Sequence, residues 1–150
     1  MNDQTITVGG AHAPVVADSV EPLRRATQFT GEPGCIAEAR RLAVRFLQEL
    51  EAEWFAEFGD HTCDDLLLVV SELITNAERH SHGPYILELE GSDRRVAVTV
   101  YDSSSTLPRR FERDPTRLGG HGLEIVHALC DRLTAERVPV GKRVRAIFEL

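Results

Sequence analysis

The chain has 150 residues, of which 42% are hydrophobic and 27% are charged, and its net charge at pH 7 is −7. This composition is ordinary for a globular protein, and the length suits one α/β domain that buries its core without disulfide or metal staples. The negative charge argues against broad nonspecific contact with nucleic acid or an anionic membrane. The segment 109–117, which contains four arginines, departs locally from that balance.

The three cysteines, Cys35, Cys63 and Cys130, are far apart and have no metal-binding spacing. We therefore expect neither a disulfide framework nor a zinc site, and a reducing cytoplasm is the expected compartment. Residues 1–10 lack a basic region followed by an apolar run, and no apolar stretch approaches the roughly 18 residues of a membrane span. The sequence predicts neither export nor membrane insertion.

The first elements in chain order carry no evident chemistry. Residues 1–20 show little periodicity and contain glycines and a proline, so we expect a flexible arm before a single domain at 21–150. A first strand is predicted at 24–29. From 35 to about 58, apolar residues recur on one helical face with arginine and glutamate opposite, which predicts a packing helix.

A second helix is predicted over about 63–81, and it carries a polar stripe. Glu72, Asn76 and His80 are spaced four residues apart and therefore share one helical face. The carboxamide oxygen of Asn76 is a hard ligand of the kind that Mg²⁺ accepts, and Glu72 could orient or deprotonate a water or a hydroxyl. A solvated helix face is the alternative interpretation, and the spacing alone leaves both open. The apolar residues that define the buried face are at positions 66, 69, 70, 73, 74 and 77.

Alternating apolar residues predict two further strands, at 85–90 and 96–101. The turn between them is too short for a helical crossover, so they should pair antiparallel, which excludes a purely parallel Rossmann-type sheet for this part. The segment 103–118 follows, with two prolines and four arginines. It predicts a long irregular loop, and such loops in compact domains are usually functional or mobile.

The last third of the chain predicts a helix and a second hairpin. Glycines at 119–122 precede an apolar helical pattern at 123–129. Two strands are then predicted at 132–136 and 143–150, with a turn at 139–142 between them.

Two more positions are candidates for chemistry. The glycines at 119–122 would let backbone N–H groups approach a phosphate at a helix N-terminus, although a purely structural turn is equally compatible. The segment matches neither a Walker A loop nor the glycine motif of a βαβ unit. Asp102 ends a predicted strand and could accept hydrogen bonds from an exocyclic amine, or make a turn with Ser103 and Ser104. Together these positions predict one site. The polar stripe would bind a metal ion and water, Asp102 would accept a hydrogen bond from the edge of a base, and the glycines would bind a phosphate.

In this order the three positions resemble the ATPase superfamily of gyrase, the heat-shock chaperone, histidine kinases and the mismatch-repair ATPases. Within it, the closest resemblance is to the anti-sigma-factor serine kinases. Residues 71–80, SELITNAERH, look like the N box of the family, Asp102 stands at the aspartate of its first glycine box, and residues 120–126, GHGLEIV, resemble the second. The resemblance covers about 35–150. It implies the Bergerat ATP-binding fold, an α+β two-layer sandwich whose mixed, mainly antiparallel sheet is covered on one face by helices.

The resemblance also implies roles for individual residues. Asn76 would hold Mg²⁺ against the triphosphate of ATP, Glu72 would be the general base, and Asp102 would accept the adenine amino group. The residues of the second glycine box that would contact the nucleotide are Gly120, His121, Gly122 and Leu123. The segment 103–118 would form a lid, whose arginines match phosphate oxygens geometrically. The pattern departs from the family where serines at 103–105 follow the aspartate, because glycines normally stand there.

The function implied is a cytoplasmic anti-sigma factor with serine/threonine kinase activity towards an anti-sigma-factor antagonist. Its partners would be that antagonist and a sigma factor, with no direct contact to nucleic acid or membrane. A homodimer formed through exposed apolar residues of the first helix is compatible with the family. The alternative is a non-catalytic protein-binding module of the same fold with weak or absent nucleotide binding, which the serines at 103–105 favour slightly. His80 is expected to cap or pack rather than to act chemically.

Overall fold

The computed structural model of the chain describes residues 21–81, 83–104 and 122–150. The strands in these ranges are β1 (Leu23–Phe29), β2 (Tyr85–Gly91), β3 (Arg95–Asp102), β4 (Arg132–Val138) and β5 (Gly141–Glu149). The helices are α1 (Cys35–Trp54), α2 (Thr62–His80) and α3 (Gly122–Leu129). The predicted arm at 1–20 and the part of the predicted lid from residue 105 onward lie outside the described residues.

The strands form one sheet in the order β1-β2-β3-β5-β4, and every neighbouring pair is antiparallel. Both predicted hairpins are present, as β2–β3 and as β4–β5. The helices pack against the sheet and against one another, with α2 contacting α1, α3, β3 and β5. The predicted α+β two-layer sandwich is therefore confirmed, and its described part is wholly antiparallel.

The hydrophobic core lies between the helices and one face of the sheet. On β3 the alternate residues Val96, Val98 and Val100 are almost fully buried and belong to this core. Because side chains alternate across a strand, Asp102 continues the same helix-facing row. Burying each such valine or leucine stabilises the fold by about 1.5–3 kcal/mol relative to exposure. The three buried valines therefore anchor β3 against the helices up to Asp102.

The predicted apolar face of the second helix is confirmed in α2. Its buried residues are Leu66, Val69, Val70, Leu73, Ile74 and Ala77. Asp64 and Asp65 lie in its first turn, where negative charge is favourable to the helix dipole, and Arg79 and His80 lie in its last. One face of α2 therefore packs in the core, and the polar stripe of Glu72, Asn76 and His80 lies next to that face.

The first helix ends earlier than its apolar pattern suggests. It ends at Trp54 because Phe55 adopts a left-handed conformation with φ of 55°, which takes the chain out of the helix. The N–H of Ala56 then donates to the carbonyl oxygen of Leu50 at 3.2 Å and closes the helix end. The ring of Phe55 is left 81% exposed.

Candidate functional site

The polar stripe of α2 lies at the boundary of the core rather than on a fully solvated face. Glu72 and Asn76 are both partly buried, whereas His80, one turn further on, is exposed. Glu72 and Asn76 are held in place because Leu73, Ile74 and Ala77 beside them are buried. A carboxylate and a carboxamide therefore lie one helical turn apart beside the core, where water competes less for their oxygens.

Glu72 meets the beginning of α3 at Gly122. A methyl group built on Gly122 would stand 2.5 Å from Oε2 of Glu72, which is closer than real side chains approach one another. The missing side chain therefore lets the first residue of α3 lie directly against the Glu72 carboxylate. This contact joins two of the three positions that the sequence singled out.

Asp102 is buried. Its contacts support both predicted roles, a strand-end turn and an acceptor of hydrogen bonds from a ligand. Its Oδ1 accepts a hydrogen bond from the backbone N–H of Ser104 at 2.8 Å, so the predicted strand-end turn is present. Its side chain is only 1% exposed and points to the helix side of the sheet. Burial raises the pKa of the Asp102 carboxyl, while the Ser104 N–H and the Lys142 charge oppose that rise. A buried carboxylate with capacity for further hydrogen bonds is a suitable acceptor for a ligand.

Lys142 is a site residue that the sequence analysis missed. It lies opposite Asp102 in the pairing of β3 with β5, and its Nζ is 3.7 Å from Oδ2 of Asp102. The Lys142 side chain is also 1% exposed. From the sequence, residue 142 was predicted to lie in a turn at 139–142. A signal for its true position existed, because alternate residues of β5 face the core and the series Phe148, Ala146, Val144 extends back to 142.

The glycine at position 141 allows Lys142 to lie beside Asp102. Its φ is 147°, and a methyl group built on it would stand 2.1 Å from the carbonyl oxygen of Asp102 and 2.7 Å from backbone atoms of Ser103. The turn that leads into β5 therefore lies directly against the end of β3. This close backbone approach sets Lys142 beside Asp102.

The end of α2 is tied to the same place. The hydroxyls of Ser81 and Ser103 are 2.8 Å apart, and the N–H of Gly83 donates to Oγ of Ser81 at 3.3 Å. Desolvation of the ring lowers the pKa of His80, although the residue as a whole is exposed, and the positive charge of Lys142 acts in the same direction. The last turn of α2, the end of β3 and the start of β5 thus meet in one corner of the molecule.

Among the predicted site residues that the structure describes, Glu72 and Gly122 are in direct contact. Asp102 lies beside the end of α2, where the hydroxyls of Ser103 and Ser81 meet. Asn76 lies on α2 one turn before that end. Leu123 is partly buried and packs against the core. Gly120, His121 and the lid arginines lie outside the described residues. Within the described ranges no group of three or more His, Cys, Asp or Glu side chains is arranged to hold a metal ion.

A sequence model of the histidine kinase-like ATPase domain matches residues 30–148. Because this match covers most of the chain, the protein belongs to the histidine kinase-like ATPase domain family. Membership implies that the chain binds ATP. A comparison with curated proteins finds no match. In the part of the chain that the structure describes, no helix is long and apolar enough to cross a membrane.

Proposed function

We propose that this protein is an ATP-binding anti-sigma factor that phosphorylates a serine or threonine of an anti-sigma-factor antagonist. Its partners would be that antagonist and a sigma factor, in the cytoplasm. The observation that carries the proposal is the contact between Glu72 and Gly122. This contact supports a single site, because Glu72, one turn from Asn76 on α2, faces the start of α3 and the glycines before it.

The side chains at this site fit a bound Mg²⁺ in their chemistry. Asn76 would hold the ion through its carboxamide oxygen, since Mg²⁺ in phosphoryl-transfer sites is bound by few protein oxygens together with substrate phosphates. When bound, the ion neutralises charge on the phosphate oxygens. Glu72 would accept the proton of the attacking hydroxyl, and Asp102 would accept a hydrogen bond from the base. The roles of Gly122 and Leu123 would be to shape the phosphate end of the site.

Isothermal titration with ATP and Mg²⁺ tests the nucleotide site first. Wild-type protein should bind ATP, and Asn76→Ala should lose the part of the affinity that depends on Mg²⁺. Thr75→Ala is a matched control, because Thr75 is the neighbouring residue and its hydroxyl donates to the Ser71 carbonyl of the same helix. Equal Mg²⁺ dependence in Asn76→Ala and Thr75→Ala would remove the metal role of Asn76.

Kinase activity needs a separate assay with labelled ATP and a candidate antagonist. Glu72→Gln should keep ATP binding but lose phosphoryl transfer by about 100-fold or more, since general bases contribute about 10²–10⁴. Glu49→Gln is the control, because Glu49 lies on α1 and pairs with Arg25 of β1. Transfer at the wild-type rate in Glu72→Gln would exclude Glu72 as the base.

A second candidate function rests on the state of Asp102. Its oxygens already contact the Ser104 N–H and the Lys142 ammonium, and both charged side chains are buried. This favours a protein-binding module with weak or absent nucleotide binding, because the base-edge acceptor is partly satisfied within the chain. Such a module would give no heat of binding with millimolar ATP and Mg²⁺, and it would still bind its sigma factor.

A homodimer through α1 has less support. Among the described residues of this helix, Val44 is the large apolar side chain that is exposed, at 38%. An interface of standard size buries about 800 Å² on each partner, which one valine cannot supply.

A further inference from the structure

The pair formed by Asp102 and Lys142 combines two kinds of hydrogen-bonding group at the position assigned to the base. The two residues are directly opposite in the β3–β5 pairing, so both side chains leave the sheet on the helix side. Oδ2 of Asp102 and Nζ of Lys142 are 3.7 Å apart, and both side chains are 1% exposed. An ionised carboxylate only accepts hydrogen bonds and a lysine ammonium only donates them. The end of the sheet therefore offers an acceptor and a donor side by side.

This combination has a different selectivity from a carboxylate alone. Adenine carries an exocyclic amino donor beside a ring-nitrogen acceptor, whereas guanine carries a keto oxygen acceptor beside an N–H donor. A lone carboxylate favours the amino group of adenine, and it disfavours guanine because two acceptors would face each other. With an ammonium beside it, the keto oxygen of guanine finds a donor, and the ring N–H finds the carboxylate.

The chain holds the pair in a fixed geometry. The Ser104 N–H donates to Oδ1 of Asp102 and orients the carboxylate, leaving Oδ2 on the side of Lys142. Gly141 lies directly against the Asp102 backbone, because a methyl group built on Gly141 would stand 2.1 Å from the Asp102 carbonyl oxygen. At a buried, fixed position a base without a complementary group is left with an unsatisfied polar atom, so both groups of the pair affect which bases can bind.

We propose that Lys142 is a specificity-determining residue that, together with Asp102, makes this site accept guanine nucleotides as well as adenine nucleotides. This inference rests on the proposed nucleotide site. For an adenine nucleotide, Asp102 accepts from the amino group, a contact that a carboxylate makes without the ammonium. For a guanine nucleotide, Lys142 donates to the keto oxygen and Asp102 accepts from the ring N–H.

The test compares the Mg²⁺ complexes of ATP, GTP and ITP in isothermal titrations with the wild-type chain. ITP carries the keto oxygen and ring N–H of guanine without its amino group, so it isolates the predicted contacts. GTP and ITP should bind within about tenfold of ATP, which is less discrimination than one good base contact usually provides. Lys142→Met should lower GTP and ITP affinity by about tenfold or more while changing ATP affinity much less. Arg143→Met is the control, because Arg143 is the next residue, points to the other face and pairs with Glu136.

The outcomes separate the two levels of the proposal. If neither ATP nor GTP binds the wild-type chain, the proposed nucleotide function fails and this inference fails with it. If ATP binds but GTP and ITP bind about 100-fold more weakly, this inference alone is wrong. Equal losses for ATP and GTP in a folded Lys142→Met variant would also overturn it, since Lys142 would then only support the structure. Thermal unfolding reports whether that variant folds, and the wild-type comparison decides the matter if it does not.

Discussion

Replacing Gly141 by alanine tests the close approach that positions Lys142. The added methyl group would stand 2.1 Å from the Asp102 carbonyl oxygen and 2.7 Å from two backbone atoms of Ser103, none of which belongs to a flexible side chain. Overpacking of this kind costs about 1–3 kcal/mol. A φ of 147° adds a backbone penalty of about 1–3 kcal/mol for a residue with a side chain. Together these terms predict that Gly141→Ala lowers the free energy of unfolding by about 2–6 kcal/mol.

Urea denaturation followed by circular dichroism measures this loss. The expected result is a lower midpoint with an unchanged slope, since the native fold is destabilised but the surface exposed on unfolding is the same. Gly31→Ala is the matched control, because its φ is 86° and no atom lies within 4 Å of the added methyl group. That control pays only the backbone penalty of about 1–3 kcal/mol. If Gly141→Ala loses no more than Gly31→Ala, the packing of the turn against Asp102 is wrong.

Three further changes probe other parts of the fold. Gly122→Ala should shift the free energy of unfolding by no more than about 1 kcal/mol, because the group it meets is the far end of the Glu72 side chain, which can rotate away. It should still displace that carboxylate, so its effect on phosphoryl transfer should not add to that of Glu72→Gln in a double-mutant cycle. Phe55→Gly should raise the free energy of unfolding by about 1 kcal/mol in urea melts, because the φ of 55° is unstrained for glycine and the ring is exposed; a loss would mean that the ring makes stabilising contacts. The hydrogen bond from Arg24 lowers the pKa of Glu90, so Glu90→Gln should cost at most about 1 kcal/mol at neutral pH. That stabilisation is present above the unfolded pKa of about 4.3 and is lost as pH falls through the lower folded pKa, so the two proteins should become equally stable in acid.

The α2 helix shows which features of this fold were predictable from local pattern. Its six buried positions were read from spacing alone, because a long run with a 3.6-residue period specifies both the helix and its buried face. The β2–β3 hairpin was equally predictable, since two alternating runs joined by a short turn have few other ways to pair. The proximity of Glu72 to Gly122 was predicted only through the order of the motifs, because no local property connects residues so far apart in the chain.

Lys142 shows where local pattern misleads. The proline and glycine before it indicate a turn, and a lysine next to them reads as a solvated turn residue. Its burial follows from the register of β5 against β3, which places it opposite Asp102. Register depends on the whole sheet, so the pair becomes visible only when both strands are in place. The early end of α1 is similar, since the apolar pattern continues past Trp54 while the left-handed Phe55 ends the helix.

The contacts of Ser103 and Ser104, which stand where glycines are expected after Asp102, bear on whether the serines narrow the base pocket. The hydroxyl of Ser103 is 2.8 Å from that of Ser81, so its side chain is engaged with the end of α2. A methyl group built on Gly83 would stand 3.1 Å from the same hydroxyl, which leaves little room for it to turn elsewhere. Ser104 contributes its backbone N–H to Asp102, a bond that glycine could form equally well. Neither serine therefore argues against base binding at Asp102. The ammonium of Lys142, which lies 3.7 Å from the carboxylate, is the group that decides what Asp102 can accept.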